Sequence, residues 1–365
     1  MSSQLFDAID YLAKEKGINK DVLMEALEAA LISAYKKNFK SATNVRVELN
    51  EDTGKMGVFS RKTVVEEVED KQQELSVDEA KEIDPNYELE DIIEVEVTPQ
   101  DFGRIAAQAA KQVVTQRVRE AERGVIFSEY ADREEDVMTG IIQRKDPRFV
   151  YVNLGKIEAK LAEPEQMPTE EYHVHDRLKV FITKVENTSK GPQIYISRSH
   201  PGLLKRLFEM EVPEIYDGIV EIKSVAREAG DRSKVSVYAA DPDIDPVGSC
   251  VGQKGQRVQT IVDELKGEKI DVVEWSEDPV VYVSNALSPS KVVDVLVKEE
   301  EKATTVIVPD YQLSLAIGKR GQNARLAAKL TGWKIDIKSE SEAREQGLLT
   351  EEDTYSDNDV EDLFE

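Results

Sequence analysis

"SLAIGKRGQNARLAAKLTGWKIDI", residues 314–337, decides how this chain is read. An apolar segment runs into a Gly-Lys-Arg-Gly turn, and a helix-like run carrying Arg325 and Lys329 follows. The chain does nearly the same earlier, in "DPVGSCVGQKGQRVQTIVDELKGEKIDV", residues 245–272. Gly252 corresponds to Gly318, Gly255 to Gly321 and Gln256 to Gln322, all at a spacing of 66. After a one-residue gap the match continues at 65, with Leu265 and Leu330, Gly267 and Gly332, and Lys269-Ile270-Asp271 against Lys334-Ile335-Asp336. A lone GxxG is a weak signal, because any helical turn can contain one. Two in matched surroundings mean one module present twice.

The residue types in the turn state a purpose. Glycine permits positive φ and has no Cβ to block an approaching backbone. The helix that follows offers free N–H groups and a positive dipole end, which suits phosphate. Gly252, Gln253, Lys254, Gly255 and Arg257 form the candidate set in the first copy. Gly318, Lys319, Arg320, Gly321, Asn323 and Arg325 form it in the second. A GxxG loop that clamps about four nucleotides of backbone is the KH arrangement.

Each copy reads helix, strand, strand, helix, GxxG, helix, strand. The strands are "GIVEIKSVA", "KVSVYAA" and "KIDVVEW" in one copy, and "KVVDVLV", "TTVIVP" and "KIDIK" in the other. "VVYVSNAL" (280–287) has strand-like propensity. Its place in the repeat, matching "GLLKRLFEM" (202–210), predicts a helix instead. The helix-first order is that of the prokaryotic, type II KH fold.

Upstream, residues 137–199 hold five short strands, "DVMTGIIQRK", "RFVYVNLG", "KIEAKLAE", "RLKVFITKVE" and "PQIYISR", as in a small OB-type barrel. In "RFVYVNLG" the period of two sends Val150, Val152 and Leu154 one way and Phe149, Tyr151 and Asn153 the other. Phe149 and Tyr151 then either stack bases from the outer face or serve cross-strand packing. The first 125 residues read as an α/β module. Leu5, Ile9 and Leu12 make a helical stripe stopped at Gly17. A second helix is capped by Asn19 and carries Leu23, Ala26, Leu27, Ala30 and Leu31. Three alternating segments follow ("NVRVEL", "MGVFSRKTVVEEV", "DIIEVEV"), then a long helix from a cap at Asp101 to about Arg123. From Glu340 the chain shows no apolar period and reads as a disordered acidic tail. The expected domains are 1–125, 126–200, 201–277, 278–339 and 340–365: an α/β head, a five-stranded OB-type barrel, two KH modules and the tail.

A chain of 365 residues exceeds what one core supports, in keeping with several domains. Its formal net charge of −25 at first argues against a nucleic-acid partner. Distribution decides otherwise. Residues 66–96 carry fourteen acidic and two basic residues, and residues 340–365 carry eleven and one, leaving −3 for the other 308. Fields are screened within about 8 Å at physiological salt, so local clusters of cations matter more than the total. The one cysteine, Cys250, rules out a disulfide framework or a thiolate zinc site and reads as a small buried apolar residue. With no apolar run of about 18 residues and no signal-peptide pattern, a cytoplasmic protein without a membrane partner is expected.

Enzyme signatures are thin. No GxxxxGK[ST] P-loop is present, and no nucleophile-elbow motif supports a Ser-His-Asp set. His173, His175 and His200 are the only histidines, with no third ligand in view for the first two. The expectation is a protein without catalytic residues, metal or cofactor. Barrel and KH modules also occur in a phosphorolytic exoribonuclease, but behind large catalytic domains that do not fit in 1–125. A translational or mRNA-decay RNA-binding protein built from the same modules is the alternative.

Taken together, the head, the barrel and the motifs "EVPEIYDGIVEIKSVARE", "DPVGSCVGQKGQRV", "GEKIDVVEW", "NALSP" and "QLSLAIGKRGQNARLA" resemble the NusA family of bacterial transcription factors over about residues 1–340. The resemblance implies that the head docks on the RNA polymerase core at the flap near the RNA exit channel. It implies that barrel and KH pair hold nascent single-stranded RNA, with effects on pausing, intrinsic termination and antitermination. Other Nus-type factors would be further partners, and the protein a monomer. It also carries Lys36, Lys37, Arg104 and Lys111 over as residues facing hairpin RNA, and Arg198 as an RNA contact closing the barrel. Two departures stand out: "AKLAEPEQMP" replaces the usual histidine-containing segment of the barrel, and only an acidic tail follows the KH pair. An expectation attaches to the two acidic segments: they repel nucleic acid from wrong surfaces, or the tail competes with RNA for the KH loops, and deleting 340–365 strengthens binding.

Overall fold

The computed structural model describes residues 9–11, 14, 19–39, 44–50, 55–70, 73–99 and 102–349. Its contacts separate two units: Met1–Ser128 with Thr188–Pro192, and the remainder.

In the first unit, helix α1 (Lys20–Phe39) buries Leu23, Leu27, Leu31 and Tyr35, a stripe of i,i+4 steps. Asn19 caps its start, Oδ1 accepting the Asp21 N–H at 2.8 Å. Strand β1 (Val45–Asn50) pairs antiparallel with β2 (Lys55–Val65). β2 also holds the short β3 (Glu74–Ser76) in parallel and β4 (Ile92–Glu96) antiparallel. Val45, Val47 and Val58 of the sheet meet α1 and the long helix α3 (Phe102–Ala131) through Phe102, Ala106 and Ala110. α3 runs eight residues past the expected stop at Arg123.

Between β3 and β4 lies helix α2 (Val77–Ile83), inside the stretch read only as an acidic run. Ser76 and Glu79 close a reciprocal capping box at its start, a Ser-x-x-Glu signal the sequence carries openly. Ile9 is buried against α1, while Leu5, Leu12, Gly17 and Asp101 lie outside the described residues.

The second unit begins with a closed barrel in the order β5-β6-β7-β9-β8, as the five segments predicted. The strands are β5 (Val137–Lys145), β6 (Phe149–Asn153), β7 (Glu158–Ala162), β8 (Arg177–Thr188) and β9 (Gly191–Ser197). Val150, Val152 and Leu154 point inward and are buried.

Two modules of the same design follow. The first runs α4 (Pro201–Glu211), the short α5 (Pro213–Tyr216), β10 (Val220–Glu228), β11 (Arg232–Ala239), α6 (Pro246–Val251), α7 (Gln256–Glu264) and β12 (Lys269–Glu274). The second runs α8 (Pro279–Ala286), β13 (Asp294–Lys298), β14 (Ala303–Val308), α9 (Leu313–Ile317), α10 (Gln322–Thr331) and β15 (Lys334–Ser339). In each sheet the first pair is antiparallel and the second parallel, the type II KH topology. Residues 280–286 are helical, as the repeat required against local propensity. Cys250 is buried in the first core, and burial pushes its thiol up to about 12.

The acidic tail starts later than expected. Glu340–Glu345 form helix α11, opened by a Ser339–Glu342 capping box, and Ala343 and Leu349 bury against Ile307. The missed cue is the same Ser-x-x-Glu pattern, outweighed by the charge of the segment. Residues 350–365 lie outside the described residues.

Candidate nucleic-acid interface

Each KH module places its glycine turn between two helices, α6 and α7 in the first and α9 and α10 in the second. The two turns have nearly one backbone. Gly252 and Gly318 sit at φ 73 and 75, and Gly255 and Gly321 at φ 76 and 72. Between them Lys254 (φ 51, ψ 28) and Arg320 (φ 55, ψ 30) are held in the left-handed region, where a Cβ costs about 1–2 kcal/mol. Matching strain on a cation in both copies turns those side chains outward, and Gln253, Lys254, Lys319 and Arg320 are all exposed. The helices that follow, α7 and α10, have no side-chain cap and no acidic residue in the first turn. The Gln256 and Gln322 N–H groups bond to the Gln253 and Lys319 carbonyls of the turns, but no side chain offsets the positive dipole end, a ready anion site.

The glycines divide the work. A Cβ on Gly255 or Gly321 would meet nothing within 4 Å, so this side of each turn is open to a ligand. A Cβ on Gly252 would lie 2.7 Å from Arg257 Cγ, and one on Gly318 only 2.8 Å from the Asn323 backbone nitrogen. The first glycine of each turn is therefore demanded by packing.

Three of the residues expected to touch RNA have partners inside the protein. Arg257 donates from Nη1 to Glu214 Oε2 (2.9 Å) and to the Ser249 carbonyl (2.5 Å). Asn323, its counterpart at spacing 66, is buried, and its amide donates to the carbonyls of Ala316 and Leu287, both at 3.0 Å. Each reaches back to a carbonyl of the helix before the turn. Arg325 is exposed but donates from Nε to Glu228 Oε1 at 2.7 Å. That bond raises the guanidinium and holds the Glu228 carboxyl below its ordinary range. Beside the second turn, Leu315 and Ile317 are exposed apolar side chains. The groove beside the first is lined by Ile219 and Ile244 together with the acids Glu214, Asp243 and Asp245.

On the barrel, Phe149 is half-buried and Tyr151 nearly covered, their rings 6.2 Å apart. The cover is cationic. Strand register places Arg144, Tyr151, Lys160 and Tyr195 in one row across β5, β6, β7 and β9. The Arg144 guanidinium lies 3.4 Å from the Tyr151 ring centroid, and Lys160 Nζ is 5.7 Å from that of Phe149. The Tyr151 hydroxyl donates to Asp146 Oδ2 at 2.9 Å, which raises the phenol above its ordinary range. Backbone N–H groups of Arg148 and Phe149 hold the Asp146 carboxyl low. Alternating cations and aromatic rings suit a nucleic-acid strand, since bases stack and phosphates pair. Arg144, Lys160 and Tyr195 were missed in the sequence because their row exists only across strand pairings.

Arg198 faces inward. Its side chain has no exposed surface. It forms a two-bonded pair with Glu170, donates to the Lys179 carbonyl at 2.7 Å and reaches the Glu264 carbonyl at 3.0 Å. Burial works against its charge, yet Glu170 and Glu264 leave it raised. It clamps the barrel to the end of α7 and offers nothing to an RNA. In the first unit, Lys36, Lys37, Arg104 and Lys111 are exposed, and none has an ion-pair partner among the described residues. Lys37 stands in the groove between α1 and α3, across from Gln108 and Gln112. Among the described residues no cluster of His, Cys, Asp and Glu could hold a metal ion, and no helix is long and apolar enough to cross a membrane.

Comparison with known proteins covers nearly the whole chain. A family model for the NusA N-terminal domain matches residues 4–124, one for the S1 RNA binding domain 131–197, and those for the NusA-like first and second KH domains 198–275 and 279–345. The transcription termination/antitermination protein NusA of Bacillus subtilis (strain 168) is 72% identical over 364 residues, spanning 100% of this chain and 97% of its own. The protein of the same name from Thermus thermophilus is 42% identical, spanning 92% and 89%. Among solved structures, the N-terminal domain of NusA from B. subtilis is 64% identical and covers 34% of this chain and 99% of its own, with a TM-score of 0.31.

Proposed function

The chain belongs to the NusA family, and from that premise we propose that it regulates transcription termination and antitermination by holding the emerging transcript while docked on RNA polymerase. The first unit is the docking head, seated on the polymerase core at the flap near the RNA exit. Lys36, Lys37, Arg104 and Lys111 on α1 and α3 face a hairpin in the transcript. The barrel face and the two KH turns hold single-stranded nascent RNA. The protein acts as a monomer in the cytoplasm, in company with other Nus-type factors, and carries out no catalytic step of its own.

One observation carries this reading: two turns of the same backbone, each with exposed cations ahead of an uncapped helix N-terminus. Tethering explains why few contacts suffice. A head bound to polymerase raises the effective concentration of the RNA sites, so modest intrinsic affinity is enough. Replacing Gln253-Lys254 and Lys319-Arg320 by Asp-Asp should abolish binding of a single-stranded RNA and leave the circular dichroism spectrum unchanged. Core polymerase should co-purify with the full chain from nuclease-treated lysate. Loss of that complex on nuclease treatment would move the protein to translation or mRNA decay.

A further inference from the structure

The second KH turn is braced by a residue of the first module. Arg325 bridges two groups: Nε donates to Glu228 Oε1 at 2.7 Å, and Nη1 donates to the carbonyl of Arg320 at 3.2 Å. That carbonyl belongs to the left-handed residue of the turn. Gln322, immediately after the turn, donates to Glu228 Oε2 at 2.9 Å and to Asp231 Oδ2 at 2.6 Å. Glu228 ends β10, and Asp231 lies in the β10–β11 turn, both in the first module. The tip is itself held from within. Glu268 accepts the Gly230 N–H at 2.9 Å and pairs with Arg227, neither side chain having exposed surface.

The first turn has the same kind of brace with a different owner. Arg257 links the carbonyl of Ser249 to Glu214, and Glu214 sits on α5 of the same module. The second turn keeps an internal link of that kind, from Asn323 to the Ala316 carbonyl, and only the second adds a link to the neighbouring module through Glu228.

We propose that Glu228 is a positioning residue for the second RNA-binding turn, acting through Arg325 to fix the Arg320 backbone so that Lys319 and Arg320 meet phosphates. This deepens the KH reading and rests on it. Arg325 then contributes geometry to RNA binding and no phosphate contact. The sign of the effect separates this from plain electrostatics. Removing an acid near a phosphate site should tighten binding, whereas removing a brace weakens it.

The test uses the full chain with Gln253-Lys254 replaced by Asp-Asp, so that the second turn dominates, and a mixed-sequence single-stranded RNA titrated at several salt concentrations. Glu228→Ala should weaken binding about twofold to fivefold, the range of a partly exposed ion pair, without changing the salt slope. Glu228→Asp should restore part of the loss. Arg325→Gln should match Glu228→Ala, and the double variant should be no worse than either. Lys319→Gln should weaken binding and lower the salt slope by about 0.7, as expected for one lost phosphate contact on a single strand. Tighter or unchanged binding in Glu228→Ala overturns the brace, as does a lowered slope in Arg325→Gln. If Lys319→Gln also leaves affinity and slope untouched, the KH reading beneath the proposal falls with it.

Discussion

At the residue scale, the turns pair a cost with a use. Arg320 holds a left-handed backbone that disfavours any side chain bearing a Cβ. Arg320→Gly should therefore gain up to about 1 kcal/mol in urea denaturation while weakening RNA binding. A loss of stability would show that the turn is relaxed. Gly318→Ala should go the other way. Its methyl would press on the Asn323 backbone, which cannot swing aside, and about 2 kcal/mol or more should be lost. Gly321→Asn faces open space and a backbone that asparagine tolerates, so its melting temperature should move far less. Glycine's role in both turns was legible from residue type. Which glycine packs and which stays open was not, because that depends on what the next helix brings alongside.

At the element scale, the repeat survives its one-residue gap because helices absorb it. Arg257 and Ile261 are four apart in α7, while Asn323 and Leu326 are three apart in α10, and both steps keep to one helical face. The overriding of local propensity at 280–286 has a similar origin, since Tyr282, Val283 and Ala286 bury into the second core. Helix α11 shows what charge counting hides. Asp310 accepts the Ser341 N–H (3.1 Å) and hydroxyl (2.5 Å), bonds that depress its pKa. This tie is complete above the ordinary carboxylate range and is lost as pH falls through the depressed value. Protection factors of the 340–349 amides, corrected for intrinsic exchange, should therefore hold at neutral pH and fall below about pH 4. Ending the chain at 339 should lower the melting temperature, with about 2 kcal/mol lost from Leu349 and Ala343. Ending it at 349 should not. Deletion from 350 is accordingly the clean test of whether the tail competes with RNA.

At the scale of the molecule, buried charged and polar side chains, Arg198 of the expected RNA contacts among them, fasten the second unit together. Arg198 joins the barrel to α7, Arg227 joins β10 to the His200 carbonyl, and the Tyr282 hydroxyl sits 2.9 Å from Ser236 and 3.0 Å from the Leu330 carbonyl. Breaking a buried pair leaves one charge unmatched, at about 3–5 kcal/mol. Arg198→Ala should lose stability on that order, with RNA affinity unchanged at temperatures where it stays folded. An RNA affinity that drops in the folded variant, with a shallower salt slope, would return Arg198 to the surface role.

The chain by itself determined its modules, their order and the turns that mark them, because apolar periodicity, glycine and capping residues act over a few neighbouring positions. It did not determine which cations are free. Arg198, Arg257 and Arg325 are indistinguishable in one dimension from Lys254, Lys319 and Arg320. Folding brings Glu170, Glu214 and Glu228 against the first three from 28, 43 and 97 residues away. The row of Arg144, Tyr151, Lys160 and Tyr195 likewise exists only once four strands pair in register. Charge pairing is set by distance in space, and only the tertiary structure decides that distance.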